Sequence, residues 1–125
     1  MENKELQQYI HDLMQVQCQI KMFHWQTKMY GKHIALDRLF EAIVDNIDEF
    51  TETAMGKYGR PSFSGLSYTF VDFSDAECTT VIDGMIDNCI ALTDKLDSKV
   101  DTDLLNLRDE LLGKLNQTKY LLTLK

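Results

Sequence analysis

His24-Trp25, followed by Asp37, Glu41, Asp45, Asp48 and Glu52, places an imidazole and a run of carboxylates where they could share a ligand. The acids step by four, four, three and four residues. On a helix that advances about 100° per residue, such steps confine them to an arc of roughly 80°. Like charges one turn apart repel by a few tenths of a kcal/mol per pair, so the stripe calls for solvent ions, a basic partner or a bound cation. One imidazole among carboxylate oxygens suits Fe(II), Mn(II) or Zn(II), and acid oxygens favour the higher oxidation state of iron. The competing reading of His24 is a core-edge histidine bonded to a backbone carbonyl. That of the acids is a solvated face, with Asp45 the one most suited to water and Asp48 and Glu52 the ones most suited to bind. Trp25 reads as a packing residue.

The elements that must position these groups are helices. A period near 3.6 runs from about Asn3 to Thr27, with Leu6, Ile10, Leu13, Gln17, Ile20 and His24 on one stripe. Met29-Tyr30-Gly31-Lys32 supplies a glycine stop, so a second helix, about His33 to Gly56, folds back antiparallel. Its apolar face (Leu36, Leu39, Phe40, Ile43, Val44, Ile47, Phe50, Ala54) lies beside the acidic stripe, so the carboxylates border the core. From Gly59 to Phe73 the composition shifts to Gly, Ser, Pro61 and aromatics; a connection this long in a small domain has a job, and its aromatics suggest a crossover packed on the helices. Ser74-Asp75-Ala76-Glu77 is a capping-box pattern that opens a third helix. A fourth opens at Asp101-Thr102-Asp103, with Leu104, Leu107, Leu111, Leu115 and Leu122 at helical spacing.

Composition bounds the functional classes. The 125 residues form one domain, 1–125, able to bury a core without disulfides. With 13 Lys and Arg against 20 Asp and Glu, the net charge of −7 argues against nucleic acid or anionic membrane as a direct partner. Cys18, Cys78 and Cys89 lack zinc spacing and fall on apolar stripes, which reads as buried free thiols in a reducing compartment. No apolar signal core or membrane-length run is present, so a soluble cytoplasmic protein is expected. Gly-rich phosphate loops, Gly-x-Ser-x-Gly and Cys-x-x-Cys are missing. No histidine follows a Glu at the Glu-x-x-His spacing of di-iron centres inside a bundle. Two helical hairpins joined by one long crossover give an all-α, ferritin-like four-helix bundle.

Phe23-His24-Trp25, Gly31, Ala35-Leu36, Leu39-Phe40-Glu41, Ile47-Asp48-Glu49, Glu52 and Gly59-Arg60-Pro61 resemble the signature of the Dps-type mini-ferritins, iron-oxidising cages. The stretch from Asp101 to Leu122 is similar to that family's last helix. The resemblance implies iron bound between two subunits, with His24 matching the first-helix His, Glu41 the second-helix acid, and Asp48 with Glu52 the Asp-x-x-x-Glu pair. Asp37 stands where the family has a second His, with His33 one turn earlier, and aligning both helix ends requires a deletion of about one turn. No Lys- and Arg-rich N-terminal arm is present, so DNA binding does not carry over. The expectation is a homo-oligomer that binds iron, or another divalent metal, through His24, Asp37, Glu41, Asp48 and Glu52, with ferroxidase and storage or detoxification activity. The alternative is a metal-free ferritin-like bundle, a structural or interaction module encoded by a virus or mobile element, whose acidic stripe meets a basic partner.

Overall fold

The computed structural model describes all residues, Met1–Lys125. Four helices form without any strand: α1 Asn3–Gln26, α2 Tyr30–Tyr58, α3 Asp75–Ala91 and α4 Thr102–Leu121, with a 3₁₀ turn at Leu92–Lys95 after α3. Helix α1 packs on α2 and α3, and α4 packs on the same two. Apolar stripes of all four meet in one core that includes Leu13, Ile20, Leu39, Ile43, Ile82, Met85, Leu104 and Leu115. Each such side chain contributes about 1.5–3 kcal/mol on full burial. Tyr9 and Phe50 meet in it at 4.9 Å between ring centroids, tilted by 51°.

Polar contacts fix the helix directions. His24 and His33 meet where α1 hands over to α2. Asn88 of α3 bonds Asp12 of α1 at 3.2 Å and Cys89 lies 3.7 Å from the Tyr9 hydroxyl, so α3 ends near the start of α1. The Asn46 amide donates to the Leu107 carbonyl at 2.8 Å, while Lys57 and Tyr58 at the end of α2 bond Asp103 and Asp101 at the start of α4. Lys119 pairs with Asp83 at 2.7 Å, closing α3 against α4. Sequence neighbours α1 and α2, and likewise α3 and α4, are thus antiparallel hairpins.

Between the hairpins, residues 59–74 travel the length of α1 in the same direction as that helix. Gln7 and His11 reach the carbonyls of Ser62 and Ser67. Gln15 accepts the Thr69 amide at 3.1 Å, and Gln26 accepts the Phe73 amide at 2.7 Å. Gln19, buried, donates to the Val71 carbonyl at 2.9 Å and accepts the Val71 amide at 2.8 Å, holding both polar groups of one residue as a neighbouring strand would. Val71 and the aromatics Phe63, Tyr68 and Phe70 remain 40–46 % exposed, while Phe73 packs edge-on to Phe23 at 5.7 Å.

The boundaries differ from the sequence expectation at α2. The reversal needs only Thr27–Met29, because two imidazole–carbonyl bonds close it, and Gly31 lies inside the first turn instead of stopping the chain. Helix α2 then continues past Gly56 to Tyr58 and stops at Gly59, whose φ of 83° is one that side chains resist. At α3 the hydroxyl half of the expected capping box forms, the Ser74 hydroxyl accepting the Glu77 amide at 3.0 Å, while the Glu77 carboxylate makes no bond back to the Ser74 amide. Gln17 is only partly buried and Gln19 takes the inward place, whereas Val44 stays exposed. All three cysteines are free, Cys18 half-buried and the others buried, and desolvation pushes the Cys78 and Cys89 thiols up to about 11.

Asp101 anchors the far end. Buried, it accepts the Tyr58 hydroxyl at 2.6 Å and the Asp97 amide at 2.9 Å, with Lys57 at 3.2 Å. Burial opposes its charge, but these donors outweigh it and hold the carboxyl below its ordinary value.

Gln19→Ala strands both Val71 groups and is expected to cost about 1–3 kcal/mol in urea denaturation. Limited proteolysis should then cut the variant inside 59–74 faster than the parent; an unchanged cleavage rate would show that the Gln19 bonds do not hold the crossover.

Candidate functional site

Helix α1 ends with carbonyls that have no helical partner, and the first turn of α2 lies against them. His33 Nδ1 donates to the His24 carbonyl at 2.8 Å, supplying one such partner, while His24 Nδ1 donates to the His33 carbonyl at 2.6 Å. The two rings stack at 3.8 Å between centroids. Carbonyl partners require the proton on each Nδ1, and neither Nε2 makes a hydrogen bond. His24 is 8 % exposed and Trp25 beside it 68 %, so the imidazole is a clamp on the hairpin and the indole is not a packing residue.

Of the four acids expected at the site, only Asp37 approaches His24. It lies 3.8 Å from His24 Nε2, but Lys21 holds it at 2.9 Å, and chiefly that bond, with weaker help from both imidazoles, keeps its pKa below the ordinary value. Lys21 itself sits 4.6 Å over the Phe40 ring. Glu41, Asp45, Asp48 and Glu52 point to solvent with Glu49, and none of these five forms an ion pair. No group of three or more His, Cys, Asp or Glu side chains is placed to hold a metal ion. The donors therefore do not fit a metal centre within one chain.

Sequence reasoning missed two features. His11 Nδ1 faces Asp12 at 3.0 Å and Nε2 faces the Ser67 carbonyl, while its ring stacks on Tyr68 at 4.9 Å. A neutral imidazole carries one N–H, so only the imidazolium donates to both acceptors. The Asp12 bond first, then that to Ser67, raises the His11 pKa above its ordinary 6.5. The available signal was the four-residue spacing of Gln7, His11, Gln15 and Gln19. The second feature is a groove of about 280 Å³ between α1, α2 and the crossover, lined by Ile10, Met14, Ile47, Asp48, Thr51, Met55, Phe63 and Tyr68.

A family model, described as a family of unknown function, DUF5856, matches residues 24–122, from the clamp histidine to the end of the last helix. The chain belongs to the DUF5856 family. Its similarity to the "Uncharacterized 14.6 kDa protein in mobD-ri intergenic region" of Enterobacteria phage T4 is 30 % identity over 120 residues, 94 % of this chain and 88 % of the phage protein. No solved structure matches. In this DUF5856 member the match thus spans α2, α3 and α4 whole, with the crossover and the last turn of α1.

Two outcomes follow from the geometry. His24→Leu, which removes one clamp bond and the stack, should lower stability by about 1–2 kcal/mol. Chemical denaturation should give the same loss with and without added Fe(II) or Zn(II); a loss confined to metal-loaded samples would make the ring a ligand instead. His11 is protonated more readily in the folded chain than in the unfolded one, so its contribution is full below 6.5 and is lost as pH rises through the raised value. The melting-temperature gap between parent and His11→Gln should accordingly narrow on going from acid to mildly alkaline buffer, and a constant gap would refute the double-donor role.

Proposed function

We propose that this chain is an interaction module, a four-helix bundle of ferritin-like order whose acidic α2 edge receives a basic partner. The observation that carries the reading is the contrast along one helix. Asp37 is neutralised by Lys21, whereas Glu41, Asp45, Asp48, Glu49 and Glu52 form no ion pair within the chain. Unpaired carboxylates on one edge focus a negative potential that steers and selects a cationic partner. Antiparallel hairpins joined by a crossover that runs along α1 support the ferritin-like order. The phage relative supports a phage- or mobile-element-encoded role.

A second reading, Fe(II) as the substrate of a centre between two copies, draws on one observation. The Nδ1–H to carbonyl bond of His24 leaves Nε2 as an acceptor, the orientation that metal-binding imidazoles use. Asp48 and Glu52 of another copy would have to supply the remaining donors, in a homo-oligomer with ferroxidase and storage activity.

Aerobic Fe(II) addition separates the two. The interaction reading expects iron oxidation no faster than in buffer and Trp25 emission unchanged through an anaerobic Fe(II) titration, while a Lys-rich peptide raises the melting temperature of the parent and not of Asp48→Asn/Glu52→Gln. Protein-dependent oxidation with saturable quenching of Trp25, and no response to the peptide, would transfer the conclusion to iron.

A further inference from the structure

The acidic edge does not stand alone, because it borders the apolar groove. Asp48 belongs to both: it lines the groove, and Glu52 follows one turn on along the same helix edge. Six of the eight lining residues are hydrophobic, and the volume of about 280 Å³ falls just below the range of about 300–1,000 Å³ that suits small-molecule sites. That size accommodates one or two apolar side chains. Met14 of α1 and Met55 of α2 are long and pliable, as in surfaces that accept helices. Phe63 and Tyr68 close the groove while remaining 46 % and 42 % exposed.

We propose that this groove is the docking site for a basic amphipathic helix of a partner protein, which seats apolar side chains between Met14, Met55 and Phe63 and sets Lys or Arg against Asp48 and Glu52. The proposal rests on the interaction reading above and names the chemistry of the partner. Charge selects this occupant over a second copy. A two-fold pairing centred on the groove would bring the Asp48–Glu52 edges of both chains into one interface, and neither edge forms an ion pair to offset the repulsion. A helix with Leu at i, i+3, i+4 and i+7 and Lys on its flanks offsets the charge and fills the apolar space in one geometry.

The test uses two synthetic helical peptides of equal charge, one with Leu at those anchor positions and one with Ala there, titrated against the whole chain by fluorescence anisotropy. The Leu peptide should bind at least about tenfold tighter. Thr51→Phe, which fills the groove, should remove that preference, and Phe63→Ala, which opens one wall, serves if the first variant does not fold. Asp48→Asn/Glu52→Gln should weaken both peptides and flatten the salt dependence. Equal binding of the two peptides, or a preference that survives both groove variants, overturns the groove while leaving the acidic-edge reading in place. No binding of either peptide overturns both. A dimer in light scattering that Thr51→Phe dissolves, together with an indifferent Leu peptide, assigns the groove to a second copy and also overturns the proposal.

Discussion

A stretch of backbone without helix or sheet must cross the face of a bundle, and every N–H and C=O that it buries there needs a partner. Helix α1 supplies those partners from its side chains, Gln7, His11, Gln15, Gln19 and Gln26, each meeting the next part of the crossover in order. The path so fixed delivers Ser74 to the end of the bundle where α1 finishes, near Lys32, which pairs with Asp75 at 2.6 Å. From there α3 can only run back down beside α1, and α4 must return beside α2. The order of the helices thus follows from the crossover's hydrogen bonds as much as from the apolar stripes.

Much of this was legible in the residues. Leu and Ile at helical spacing located all four helices, and Ser74 with Glu77 located the start of the third to the residue. The turn after α1 was less legible because Gly31 imitates a helix stop. What decides the boundary is a pair of histidines nine residues apart bonding each other's carbonyls, a tertiary contact with no local signature. Likewise Gln17 and Gln19 are indistinguishable by composition; which one turns inward depends on where the Val71 backbone passes.

The candidate site was legible as an inventory of groups and less so as an arrangement. Helical spacing correctly put Glu41, Asp45, Asp48 and Glu52 on one exposed edge. Periodicity carries no information about Lys21, one helix away, which takes Asp37 out of the set. Nor does it show that His24 spends its Nδ1 proton on a carbonyl, although that was the competing reading of the same residue. Held and unpaired groups separate along α2: the histidines hold a hairpin together, and the charge that forms no ion pair lies further along the helix.

In its middle the crossover is gripped through its main chain. Gln15 and Gln19 recognise amide and carbonyl groups that any residue but proline would present, so they place little demand on which side chains stand at 69 and 71, whereas Phe73 is also held by its ring against Phe23. Evolution is therefore free to redecorate this exposed segment while its course stays fixed, much as variable loops are carried on a constant frame. Diversity among related chains should gather in the crossover and be scarce at the α1 amides that read its backbone. The segment is then less a connection between two hairpins than a surface whose chemistry can drift without disturbing the bundle beneath it.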